Sequence, residues 1–160
     1  MNLLELFKPI RSFIFDIEGV LTDGTLLVSG HDAPAYSLHT RDLYALQKAL
    51  AAGYRIIFIS ENDPVAVCSH LKKAGFKDIY TNIADKAPFL PQLETDLSTT
   101  LYMGDDMPDY AAMQLCAIAA CPNDAVAEVR EKAVYISPRN GGAGCVRDVL
   151  EKVLKLNNCW

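Results

Sequence analysis

Residues 14–24 read Ile-Phe-Asp-Ile-Glu-Gly-Val-Leu-Thr-Asp-Gly. An apolar run ends in a carboxylate, Asp16, a second acid, Glu18, follows two residues later, and a glycine turn comes next. Such a pattern puts two acids and a turn backbone at the mouth of a sheet, where a metal and a phosphoryl group can sit. Further along, Ser60 ends another apolar run, Lys86 precedes a helical segment, and Gly104-Asp105-Asp106-x-x-Asp109 follows a third. Asp16, Asp105 and either Asp106 or Asp109 are expected to meet at one rim. Carboxylates crowded together repel unless a cation lies between them, and hard oxygen ligands suit magnesium. Taken singly, Asp106 and Asp109 read as helix-start acids, Ser60 as a strand-end cap and Lys86 as a surface lysine. Acids, serine and lysine placed after successive strands are what points to chemistry.

The elements that must position these residues alternate. Short β-rich runs at Ser12–Phe15, Arg55–Ile59, Asp78–Thr81 and Thr99–Met103 have the unbroken apolar character of buried parallel strands. A helix is expected over Thr40–Ala52, stopped by Gly53. Another is expected after Asp63, with Asp63 as its cap, Pro64 at its first position and Gly75 at its end. A third has Phe89, Leu93 and Leu97 spaced by four, with Pro88 and Pro91 disturbing its start. A β-hairpin flap is expected over about 24–39, turning at Ser29-Gly30-His31-Asp32. Shorter helix and strand pairs follow through Ala117–Ala120 and Ala133–Ile136, then an amphipathic helix using Val146, Leu150, Val153 and Leu154. This rhythm predicts a doubly wound α/β fold, a Rossmann-like parallel sheet with helices on both faces. Ligands of such sheets bind beyond the carboxyl ends of the strands, where Asp16, Ser60 and Asp105 fall.

The chain has 160 residues, enough for a single domain with a core. Its net charge of -5 argues against nonspecific nucleic-acid binding, and an anionic substrate would need local cations or a metal. Five cysteines without a C-x-x-C pair and three scattered histidines make no zinc pattern. Reduced, mostly buried thiols in a cytoplasmic protein are the simplest account. The N-terminal Met1–Phe7 lacks the features of a signal peptide, and no apolar run is long enough to span a membrane.

Taken in order, Asp-x-acid-Gly, strand-Ser, Lys and Gly-Asp-Asp-x-x-Asp resemble the haloacid dehalogenase superfamily of phosphatases over nearly the whole chain. More narrowly, the chain resembles the capless branch of octulosonate 8-phosphate and nonulosonate 9-phosphate phosphatases. That likeness rests on Gly-Val-Leu-Thr-Asp-Gly at 19–24, the hairpin, Arg41-Asp42 opening a helix, and Gly141-Gly142-Ala143-Gly144-Cys145-Val146-Arg147. The resemblance implies that Asp16 is the nucleophile, forming an aspartyl-phosphate. It implies that Glu18 is the general acid and base, its backbone carbonyl a metal ligand. Ser60 and Lys86 would hold the phosphoryl group, Asp105 would ligate Mg2+, and Asp106 and Asp109 would support it. Arg41, Asn62, Gly141, Gly142 and Arg147 would bind a phosphorylated sugar acid. Only 43 residues separate Asp16 from Ser60 and 25 separate Ser60 from Lys86, too few for a folded cap. The family covers its site by forming a homotetramer, with the C-terminal segment, here about 140–160, reaching a neighbour.

The chain departs from the family at three points. Glu18 stands where Asp is expected, one methylene longer, which shifts its proton by about 1 Å. Ser60-Glu61-Asn62 replaces Thr-Gly-Arg or Thr-Gly-Glu, and Leu43 stands where a glycine usually follows Arg-Asp, which would narrow the site entrance. Two readings therefore stay open. One is a magnesium-dependent sugar-acid phosphatase, slowed at Glu18. The other is a catalytically degraded scaffold, similar to the phosphatase-like domain of animal acylneuraminate cytidylyltransferases, serving a nucleotide-sugar enzyme.

Overall fold

The computed structural model describes residues 2–30 and 33–160. Six strands, β1 (Ser12–Asp16), β2 (Arg55–Ile59), β3 (Asp78–Tyr80), β4 (Thr100–Met103), β5 (Ile118–Cys121) and β6 (Tyr135–Ile136), form one sheet in the order β3-β2-β1-β4-β5-β6. Every pairing is parallel. The period of two along each strand sends alternate side chains to opposite faces. Phe13, Phe15, Ile56, Phe58, Leu101 and Met103 enter one core, while Ile14, Ile57, Ile59 and Tyr102 enter the other. Helices α1 (Leu3–Phe7), α2 (Thr40–Ala51), α3 (Val65–Lys73) and α6 (Cys145–Leu156) supply the first core; α4 (Met107–Met113) and α5 (Ala127–Lys132) supply the second. Burial on both faces is why the strands read as continuous apolar runs rather than alternating ones.

The chain leaves the central strand β1 for β2 on one side, and β4 lies on the other. The carboxyl end of β1 is therefore the topological switch point, where doubly wound sheets take their ligands. Among the described residues, no cap domain interrupts this rim. Between β1 and α2 the described residues form a turn and an extended segment, and between β2 and α3 only a short loop.

Three expected elements differ. The hairpin over 24–39 is reduced to one antiparallel bridge, Leu27 with Ala35, and its turn residues His31 and Asp32 lie outside the described residues. Leu27 and Val28 are 69% and 73% exposed, so this ribbon has no second layer to hold it as strands. The helix expected through Phe89, Leu93 and Leu97 is instead two 3-10 turns, Leu90–Leu93 and Leu97–Thr99. Pro91 withholds a helical N–H, and Glu94 turns left-handed at φ 50°. Asp63 does not cap α3 through its side chain. Pro64 precedes the first helical residue, and the Asp63 carbonyl accepts the Val65 N–H at 2.8 Å.

Candidate active site

The site is built from the ends of β1, β2 and β4. Asp16 is the last residue of β1. Residues Ile17–Leu21 then make a single wide turn, closed by Thr22 N–H donating to the Ile17 carbonyl at 2.9 Å. Gly19 sits in that turn at φ 90°, and a Cβ there would stand 1.9 Å from Asp105 Oδ2. Glycine is thus required both by the backbone and by the approach of the acid after β4.

Lys86 is almost wholly buried, and its ammonium donates to Asp16 Oδ1 at 2.6 Å and to Asp109 Oδ1 at 2.7 Å. Asp109 also accepts the Tyr102 hydroxyl at 2.7 Å and, through Oδ2, the Asp105 N–H at 3.1 Å. A Cβ at Gly104 would fall 2.3 Å from the Asp109 Cβ, so Asp109 packs directly beneath the turn after β4. Both Asp109 oxygens are engaged by protein donors, which makes this residue the brace of the site.

Carboxylate oxygens of Asp16, Asp105 and Asp109 lie within 4.8 Å of one another. One lysine cannot neutralise three acids. Burial, then the Asp109 charge, raises Asp16 well above the usual carboxylate range, with Lys86 pulling the other way. Burial and the Asp109 charge push Asp105 up to about 7. Lys86 would be lowered by its own burial, but the charges of Asp109 and Asp16 outweigh this and hold it above its ordinary value. A divalent cation would remove the strain of like charges. The donors left for it are Asp16, Asp105 and turn backbone oxygen, a hard set that fits magnesium.

On the other side of the mouth, Glu18 Oε1 accepts the Ser60 hydroxyl at 3.3 Å and the Asn62 amide Nδ2 at 3.1 Å. The Asn62 backbone N–H in turn donates to Ser60 Oγ at 3.2 Å. The longer acid is therefore folded back onto the Ser60 loop. The whole mouth encloses about 190 Å³, lined by Asp16, Glu18, Ser60, Asn62, Lys86 and Asp105 among others.

The expected catalytic and metal residues are all brought together here. Asp106 lines the rim, and its side chain caps α4 through Met107 N–H at 2.7 Å. Arg41 and Arg147 do not line this mouth but a separate cavity beside α6. Gly141 and Gly142 pack on the chain's own turn, where a Cβ would stand 1.9 Å from the Gly19 carbonyl oxygen and 2.5 Å from Asp23 N. They thus buttress the site from behind. Leu43 is half-buried against the larger core and does not line the mouth. Trp160 packs edge-on against Tyr44 with ring centroids 6.1 Å apart, within its own chain. Sequence reasoning missed Tyr102, which reads as one more apolar strand residue. Only the site shows its hydroxyl bracing Asp109.

No protein-family model matches the chain. It is 26% identical over 151 residues to 3-deoxy-D-manno-octulosonate 8-phosphate phosphatase of Escherichia coli K12, spanning 92% of this chain and 80% of that protein. It is 28% identical to N-acylneuraminate cytidylyltransferase of Oncorhynchus mykiss, of which it spans 37%. Among solved structures, a haloacid dehalogenase superfamily (subfamily III A) hydrolase from Legionella pneumophila superposes with a TM-score of 0.92 at 30% identity, over 98% of this chain and 88% of that one. The octulosonate 8-phosphate phosphatase of Moraxella catarrhalis, solved with magnesium, phosphate and the sugar acid, superposes at 0.91 with 27% identity, over 97% and 91%. The chain belongs to the haloacid dehalogenase superfamily, in the capless branch of octulosonate 8-phosphate phosphatase-like phosphoric monoester hydrolases.

Proposed function

We propose that this protein is a magnesium-dependent phosphatase acting on a phosphorylated sugar acid through an aspartyl-phosphate on Asp16. The observation that carries the reading is the buried Asp16–Lys86–Asp109 network beside Asp105, a costly arrangement that a plain scaffold has no use for. An Asp16 carboxylate oxygen attacks phosphorus and the ester P–O bond breaks. Glu18 gives its proton to the departing sugar oxygen. Glu18 then takes a proton from water as that water attacks phosphorus, releasing inorganic phosphate and restoring Asp16. Ser60 and Lys86 orient the phosphoryl oxygens. Magnesium would be held by Asp16, Asp105 and the Glu18 carbonyl, and there it would supply positive charge to the transferring group. The relatives bearing octulosonate phosphatase names support the sugar-acid class of substrate.

With no cap, water must be excluded by another copy of the chain. The exposed Leu26, Leu27 and Val28 offer apolar surface for that contact, and a homotetramer is the expected state. Light scattering giving a monomer would sink this part.

Glu18 and the likeness to the cytidylyltransferase favour a second reading, a scaffold that has lost turnover. Assays of the purified protein with magnesium and a panel of phosphorylated sugar acids decide between the two. Turnover that disappears in Asp16→Asn establishes the enzyme. Turnover found only after Glu18→Asp establishes the scaffold.

A further inference from the structure

A second, larger cavity of about 480 Å³ lies beside α6, and it shares no lining residue with the mouth around Asp16. Its walls bring Arg41 from the first turn of α2, Arg139 from the loop after β6, and Arg147, Lys152 and Lys155 from α6. Two acids, Asp148 and Glu151, face the same space. Asp148 pairs with Lys152, and Glu151 is shared between Arg147 and Lys155. Arg41 and Arg139 have no ion-pair partner among the described residues. Counting side chains, five cations face two acids, a local excess of three positive charges in a chain whose net charge is -5.

The unpaired guanidiniums come from different elements yet face one concavity, and an anion between them would relieve their like charge. Ala143 and Gly144, at the start of the 12-residue α6, also line the cavity. Gly144 gives α6 no side-chain cap of its own, but the buried Asp42 carboxylate accepts the Arg147 N–H at 2.8 Å, so the start of α6 is already partnered and the cavity's positive field comes from its side-chain cations. The Arg147 guanidinium is held in place, 5.0 Å from the Trp160 ring and 5.8 Å from that of Tyr44. Guanidinium forks match the planar, multidentate pattern of phosphoryl oxygens. The volume falls within the range of metabolite pockets.

We propose that this cavity is a second anion site, separate from the catalytic mouth, which binds a small polyanion bearing phosphoryl groups. The charges of the two sites are opposite. Without a metal the mouth is acidic and repels such a ligand, so metal-depleted protein isolates the second site.

The test is calorimetric titration of inorganic pyrophosphate into metal-depleted protein at low ionic strength, using the wild type, the double variant Arg41→Gln/Arg139→Gln, and Ser60→Ala. Both arginines are exposed, so the double variant should fold, and an unchanged circular dichroism spectrum checks this. The expected result is one pyrophosphate per chain, weakened tenfold or more in the double variant and unchanged in Ser60→Ala. Absence of binding, binding indifferent to both arginines, or binding lost in Ser60→Ala alone would each overturn the proposal. Because the readout needs no turnover, it stands whichever way the catalytic assays fall.

Discussion

The two sides of the catalytic mouth are built differently. On the β4 side, Lys86, Asp109 and Tyr102 are almost wholly buried, and each is tied to another by bonds of 2.6–2.7 Å that include Asp16. On the β2 side, Glu18, Ser60 and Asn62 make longer contacts of 3.1–3.3 Å, and Asn62 is exposed. A fixed charge network is expensive to bury and tolerates little change. A solvent-facing polar clamp can be rebuilt at small cost. Of the three departures from the resemblance, those at Glu18 and at Ser60-Glu61-Asn62 fall on the second side, and Leu43 lines neither side. On the proposed function, the residues that would fix nucleophile and metal are kept, and the residues that would handle the proton are the ones that differ.

Variants on each side should break or sharpen that contrast. The largest effect is expected from Asp16→Asn, which removes the nucleophile and should lower kcat by on the order of 10⁴ or more in steady-state assays. Lys86→Met should come next. It leaves Asp16 and Asp109 buried without their cation, and chemical denaturation should show a loss of about 3–5 kcal/mol. If Lys86→Met were neutral, the buried side would not be the rigid one.

Glu18→Asp restores the shorter acid and should change kcat within the range of roughly 10²–10⁴ assigned to general acid–base catalysis, with little effect on stability. The rise would place the defect on the β2 side. Asn62→Ala removes one hydrogen bond to Glu18 and should alter kcat only several-fold, about 1 kcal/mol. Its effect should vanish in a Glu18→Asp background, where the clamp no longer reaches, and additive effects would deny that the two residues act together.

The metal-binding side also carries a pH signature. Asp105 sits at about 7 in the folded protein, against about 3.9 for an unfolded chain. Between these values the folded state holds more protons than the unfolded one. Stability of the metal-free protein should therefore fall as pH rises from about 4 to 7 and level off above that. Magnesium binds the ionised acids, so it should raise Tm more at pH 8 than at pH 5.5. Differential scanning calorimetry at the two values, with and without magnesium, measures both trends. An equal magnesium shift at both would remove Asp105 from the ligand set.

Much of the site was legible because strand ends are legible. Asp16, Ser60 and Asp105 each follow an apolar run, and a doubly wound sheet gathers such positions at one rim. Arg41 and Arg147 were legible only as motif residues. Chain order cannot say which side of α2 and α6 faces the mouth, and the fold turns both arginines to the second cavity. The Gly141-Gly142 pair signalled a close approach, yet what it approaches, the turn at Gly19 to Asp23, is 118 or more residues earlier in the chain.

The sequence by itself determined the parallel sheet, the strand-end positions of the acids Asp16 and Asp105, and the absence of room for a cap between Asp16 and Lys86. Those follow from local periodicity and from chain length between strands. Only the tertiary structure decided that Asp109 braces Lys86 with Tyr102, that Asn62 serves Glu18, and that five cations gather away from the mouth. Each depends on side chains from distant elements meeting at hydrogen-bond or charge range, and nothing in local spacing specifies such meetings.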